Sequence, residues 1–275
     1  MRIFGYEYKK TFIHDLNGVT KLVIFLLWST LGMLTYNTYV LFFMLISSLI
    51  VLYISKIKYK DVSFVFWVIL IFLILNTVTI YIFSPQEGVK IYHSMTKITN
   101  FGNIYDLTLE QVFYEVNVFL KYMVVAPVAL IFISTTDPSE LGSSLNRIGV
   151  PYSICYAINI AFRYIPDIQQ DFYNIKNTKE ARGIELSSKQ NLLKRIKNTI
   201  PILFPLIFTS IERIENISTA MELRGFGKKN KRTWYSYREL RLSDYISMIV
   251  TLIIVIFCLY ITFKDGSRFY NPFMR

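Results

Sequence analysis

The sequence predicts an all-α membrane protein with about five transmembrane helices and a cytoplasmic domain of long amphipathic helices. Three observations carry that expectation. First, 53% of the 275 residues are hydrophobic and 16% aromatic, with a mean hydropathy of +0.39, above the roughly 45–50% apolar content of soluble domains. Second, the apolar residues gather in long runs with almost no charge. Third, two stretches outside those runs are apolar on one helical face, and each closes on an Arg-Gly pair, Arg182-Gly183 and Arg224-Gly225.

The runs are taken in chain order. The polar N-terminal segment leads into charge-free runs at Leu22 to Tyr36 and Tyr39 to Ser55, 15 and 17 residues long. Both are shorter than the roughly 20 residues a spanning helix needs, so they read as a tight helical hairpin turning at Asn37-Thr38. The first run has no small-residue cleavage site after it and is expected to be retained. Val62 to Ser84 and Tyr245 to Phe263 are long enough to span, as is Val116 to Thr136, which Lys121 alone interrupts. The Lys121 amine is expected to reach outward along its stem to the interface. Asn76 reads as an interhelical hydrogen-bonding residue, and Glu115 as an interfacial one. Five spans divide the chain into 1–136 with four of them, a cytoplasmic segment 137–242, and 243–275 with the last span and an extracytoplasmic tail.

Orientation follows from Lys and Arg. Of the 30, 17 fall between Asp137 and Leu242, 4 before residue 22, and 3 at Lys56, Lys58 and Lys60. Those segments are expected in the cytoplasm, with Ser84 to Glu110 and the C-terminal tail outside. The segment from Asp137 to Leu242 also has 10 acidic residues, a net charge of +7 within the chain's +11. Such juxtamembrane charge faces lipid headgroups, and no nucleic-acid partner is expected.

Within that segment, Asp137-Pro138-Ser139-Glu140 has the pattern of a capping box with proline at the first helical position, predicting a short helix to about Arg147. Gly149-Val150-Pro151 breaks it. Ile154, Ile158, Ala161, Phe162, Ile165, Ile168, Phe172 and Ile175 then recur in three- and four-residue steps, opposite Arg163, Asp167, Gln170, Asn174 and Asn177. A second stripe comprises Leu193, Ile196, Ile200, Leu203, Ile207, Ile211, Ile214, Ile217 and Met221, with Pro201 and Pro205 expected to kink or divide it. An arginine in the last turn faces the negative end of the helix dipole, and the following glycine can take the left-handed conformation that ends a helix. Each arginine therefore projects from a helix tip, where its fork suits an acidic groove on a partner.

Absences bound the chemistry. No GxxxxGK[ST] motif occurs, so the chain is not expected to bind ATP through a P-loop. His14 and His93 lie far apart, and Cys155 and Cys258 sit in apolar patterns, so neither a metal site, a cofactor nor a structural disulfide is expected. Asp167 and Asp171 have the spacing of a metal-binding pair. A membrane-embedded lipid or isoprenoid enzyme is therefore one alternative, and a membrane assembly protein without transport another.

The ordered motifs resemble those of the transmembrane T component of energy-coupling-factor transporters. Thr136-Asp137-Pro138-Ser139-Glu140-Leu141, Leu145 to Pro151 and Phe162-Arg163-Tyr164-Ile165-Pro166 look like that family's approach to its first long coupling helix. Glu180-Ala181-Arg182-Gly183 is similar to its first Ala-Arg-Gly motif. Pro205-Leu206, Arg213, Ala220 to Gly227 and Arg232-Thr233 resemble the second. His14-Asp15-Leu16 and Thr20-Lys21-Leu22 resemble the N-terminal signature, with Asn17-Gly18-Val19 where Asp-Pro-Arg is usual. Leu223 replaces the usual alanine, and Asn177-Thr178 the usual Ala-Gln.

The resemblance implies a non-catalytic scaffold in a bacterial cell membrane, part of an ATP-driven vitamin or micronutrient importer. Residues 137–242 become its coupling domain. Ala181, Arg182, Gly183, Leu223, Arg224 and Gly225 are then the residues that dock two cytoplasmic P-loop ATPase subunits. The apolar faces of the coupling helices would hold a small hydrophobic substrate-binding membrane subunit.

Overall fold

A computed structural model describes residues 11–57, 59–98, 105–183, 192–228, 233–235, 237–264 and 266–273; within them the side chains of 59–62, 138 and 192–198 are left aside. The expectations on Lys58, Arg232 and the first ten residues lie outside the described residues, as do those on the Leu193 and Ile196 side chains.

Ten helices form among the described residues: α1 (Phe12–Asp15), α2 (Gly18–Leu34), α3 (Thr38–Ile54), α4 (Tyr59–Phe83), α5 (Glu87–Tyr92), α6 (Leu109–Thr135), α7 (Pro138–Arg147), α8 (Tyr152–Ala181), α9 (Leu192–Leu223) and α10 (Leu242–Phe263). The chain is an all-α membrane protein. Ser63–Phe83, Leu109–Thr135 and Leu242–Phe263 are long and apolar enough to cross a bilayer, while α2 and α3 are apolar at 17 residues each. Two compact units emerge: 1–137 with 238–275, and 138–237.

In the first unit, α2, α3, α6 and α10 surround an aliphatic core that includes Leu31, Leu41, Met44, Val124, Val255 and Cys258. The α2–α3 turn is fixed by Asn37, whose side-chain oxygen accepts from Tyr39 N, the usual way a helix start satisfies its orphan donors. Helix α6 starts at Leu109, well before the apolar run at Val116. Its first turns are polar yet buried because each group finds a distant partner. Glu110 accepts from Thr96 N and Oγ1 at 3.0 and 2.9 Å, Gln111 accepts from Gly88 N at 2.8 Å, and Asn117 accepts from Thr38 Oγ1 at 2.8 Å.

Lys121 departs from its sequence expectation. It does not reach outward but is 94% buried, with Nζ 3.5 Å from the Tyr36 ring centroid. The ring face supplies the electrostatic partner that the interface would have given. Tyr36 itself is held by the C-terminal residues: its N donates to Arg268 O at 3.0 Å, and its ring lies 4.4 Å from that of Phe269.

The other end of this unit is knit by Asp244. Its carboxylate, 1% exposed, accepts from Asn17 N (2.8 Å), Thr20 Oγ1 (3.0 Å) and Arg241 N (2.9 Å). Lys21 Nζ donates to the carbonyls of His14 at 3.0 Å and Thr135 at 2.6 Å, placing a cation on the last carbonyls of α6, where the helix dipole favours it. The N-terminal motif and the start of the last span are thereby one polar cluster.

Candidate functional site

The second unit, 138–237, consists of α7 and the long pair α8 and α9. Helix α7 ends at Arg147, and Gly149 takes φ +104°, a backbone region that glycine enters without strain. Pro151 then starts α8. Helix α9 runs through both Pro201 and Pro205 without being divided. Proline removes one donor and crowds the preceding turn, but the flanking turns keep their hydrogen bonds.

The two long helices pack antiparallel. Arg213 of α9 donates from Nη2 to Asp171 Oδ2 of α8 at 2.7 Å. Moving forward along α9 and past its end to Phe226, the contact has moved backward along α8 to Tyr156, with ring centroids 4.7 Å apart. Phe226 also approaches Tyr152 at 6.0 Å, and Trp234 lies 5.0 Å from Tyr152. Trp234 Nε1 donates to Asn146 Oδ1 at 3.2 Å, which anchors this aromatic group to α7.

This arrangement sends the two Arg-Gly tips to opposite ends. From Tyr156 to Arg182 the rise of a helix gives about 40 Å along α8. Both tips are helix endings of the expected kind. Gly183 has φ +86° and its N donates to Glu180 O at 2.9 Å. Gly225 has φ +68°, its N donates to Glu222 O at 2.8 Å, and Phe226 N donates to Met221 O at 2.9 Å. That pair of bonds is the Schellman ending, in which the residue after the glycine is usually hydrophobic and packed. Ala181, Arg182, Gly183, Leu223 and Arg224 are exposed, Gly225 half-buried. The structure brings residues 181–183 together at one end and 223–225 at the other, and does not bring the two groups together.

Most of the described sequence stripe on α9 stands off the face that meets α8; only Ile217 and Met221 of it fall on that face. Ile202 is buried, and Leu206, Ser210, Arg213, Ile217 and Met221 are half-buried at helical spacing. Ile200, Leu203, Ile207, Ile211 and Ile214 are exposed together with Phe204 and Phe208. Helix α9 thus has two apolar faces, and the one against α8 is mixed because it must accommodate Arg213. Asp167 and Asp171 face that same guanidinium: Arg213 Nη1 lies 4.0 Å from Asp167 Oδ2, a charge contact beyond hydrogen-bond reach. Their pairing with Arg213 accounts for the spacing, and among the described residues no group of three or more metal-binding side chains occurs. Cys155 is fully buried at the start of α8, where burial pushes its thiol pKa up.

Sequence reasoning missed the aromatic group and the Arg213 bridge. A hydrophobic residue immediately after Gly225 was the available signal for the first; the second joins residues 42 apart and leaves no local signature.

Comparison with known proteins places this architecture. Residues 9–235 match the CbiQ family model, described as cobalt transport protein. The energy-coupling factor transporter transmembrane protein EcfT of Streptococcus equi subsp. equi is 28% identical over 269 residues, covering 93% of this chain and 94% of that one. Its namesake in Staphylococcus aureus is 29% identical, covering 90% and 93%. That of Lactococcus lactis subsp. cremoris is 31% identical over 58% of this chain and 62% of its own length. With the family model spanning most of the chain, through both Arg-Gly ends, this protein belongs to the CbiQ family and is a transmembrane component of the energy-coupling-factor transporter type.

Proposed function

We propose that the chain is the scaffold and force-transmitting subunit of an ATP-driven importer for a vitamin or other micronutrient. It is not itself an enzyme. Arg182 and Arg224 each dock into an acidic groove of one of two cytoplasmic P-loop ATPases, and the exposed ridge of α9 holds a separate, small hydrophobic substrate-binding membrane subunit. The unit 138–237 and the N-terminus face the cytoplasm in this reading, in line with their basic charge.

The observation that carries the proposal is the placement of two exposed arginine tips at opposite ends of one antiparallel helix pair, about 40 Å apart by helical rise. One groove cannot take both. Two ATPases that close on ATP would pull on the two ends of a single bar, and the bar's open apolar ridge would move with them. A guanidinium paired with a carboxylate in a desolvated groove costs about 2–5 kcal/mol to lose, much of it the penalty of the partner left unpaired.

The test is the double variant Arg182→Glu/Arg224→Glu, purified in mild detergent by a tag on the full chain. It is expected to reach the membrane at normal levels, since both side chains are exposed, and to lose both ATPases. Retention of the ATPases at wild-type levels would falsify the docking assignment. The substrate-binding subunit is expected to remain, because the ridge is untouched.

A further inference from the structure

The two tips share a backbone ending and a glutamate two positions before the arginine, Glu180 and Glu222, but differ at the residue in between: Ala181 in one, Leu223 in the other. Leu223 is 85% exposed. It is the last residue of α9 and is followed by exposed Arg224, so a groove that wraps around this tip meets an apolar side chain and a cation on adjoining sides. The turn that carries them is braced, because Phe226 is held between Tyr152 and Tyr156, and Trp234, which packs on Tyr152, is tied to Asn146. Fixing the last turn in advance lowers the ordering cost of docking.

We infer that the second tip is a specificity contact: its partner pairs the carboxylate that takes Arg224 with an adjoining apolar pocket that takes Leu223, and the groove for the first tip has no such pocket. The inference rests on the docking reading above and sharpens it, since it requires the two ATPase grooves to be chemically different. A groove shaped around Ala181 has no room for a leucine. A groove shaped around Leu223 leaves a void when it receives an alanine, so each misfit is penalised and the two partners are sorted to their own ends.

The test uses the full chain in its own membranes, with the photocrosslinker p-benzoylphenylalanine at position 181 or 223, and identification of the captured peptides. Position 223 is expected to capture an apolar segment of a P-loop ATPase that position 181 does not capture. In parallel, Leu223→Ala is expected to weaken retention of that ATPase in detergent about tenfold, as partial loss of a buried leucine side chain implies, and Leu223→Met to restore it. An unchanged elution profile of the purified variants shows that the chain is still folded. Capture of the same ATPase segment from both positions, or wild-type retention in Leu223→Ala, overturns the inference while leaving the docking reading intact. Capture of no ATPase from either position overturns both.

Discussion

In the unit formed by residues 1–137 and 238–275, apolar side chains close over a core, and the buried polar groups described above meet partners from distant parts of the chain. Its outward apolar residues, such as Trp67, Phe72 and Ile253, lie on helices able to cross a bilayer, so lipid covers them. In residues 138–237, Cys155 and Ile202 are the buried hydrophobics among the described residues, while eight large apolar side chains of α9 stand open, Leu223 at its tip among them. Helix α9 is not among the candidate spans. A helix with an apolar face must cover it, so the first unit is finished by its own packing and by lipid, whereas under the proposed function the second is finished by another protein. Substitutions should therefore be costly to folding in the first and costly mainly to assembly in the second.

The largest effect is expected at Asp244. Asp244→Ala leaves Asn17 N, Thr20 Oγ1 and Arg241 N without their acceptor in a buried site. An unsatisfied buried donor costs about 1–3 kcal/mol, so three together should exceed about 3 kcal/mol. Thermal unfolding followed by fluorescence-detected size exclusion checks this: a sharply lowered midpoint and poor yield are expected, and a wild-type midpoint would show that the cluster is not what joins the N-terminus to α10.

Next come two glycines, one in each unit. A Cβ at Gly88 would lie 2.4 Å from Glu110 O and 2.6 Å from Gln111 Cα, backbone atoms of α6 that cannot step aside. Gly88→Ala should cost about 3 kcal/mol through forced displacement. A Cβ at Gly142 in α7 meets the end of the Asn159 side chain at 2.5 Å. That amide can rotate, and alanine regains about 1 kcal/mol of helix propensity, so Gly142→Ala should change stability by about 1 kcal/mol or less. Equal losses in the two variants would erase the contrast between a closed unit and an open one.

The same contrast explains what the sequence could reveal. Spans were legible because lipid-facing helices are apolar on every side, and the α7 boundaries because Pro138 and Gly149 act locally. The start of α6 was not, since Glu110, Gln111 and Asn117 read as polar until Thr96, Gly88 and Thr38 are seen beside them. Lys121 was misjudged for the same reason, its partner Tyr36 lying in the connection between α2 and α3. The Arg-Gly tips were legible because a positive φ demands glycine at 183 and 225. Which stripe of α9 stays open was not, because two apolar faces on one helix have the same periodicity and only the neighbour selects between them.

The smallest expected effect on stability is also the sharpest probe of the second unit. Phe204 and Phe208 are 60% and 68% exposed on the open ridge. Replacing a core phenylalanine by a small residue costs about 3–5 kcal/mol, whereas exposed positions usually stay within about 0.5 kcal/mol. Phe204→Ser/Phe208→Ser should therefore leave the unfolding midpoint of the isolated chain nearly unchanged. In the assembled complex the double variant should retain the ATPases through Arg182 and Arg224 but lose the substrate-binding subunit. A midpoint lowered as far as that of Gly88→Ala would mean that the ridge is covered within this chain, and the second unit would then be as self-contained as the first.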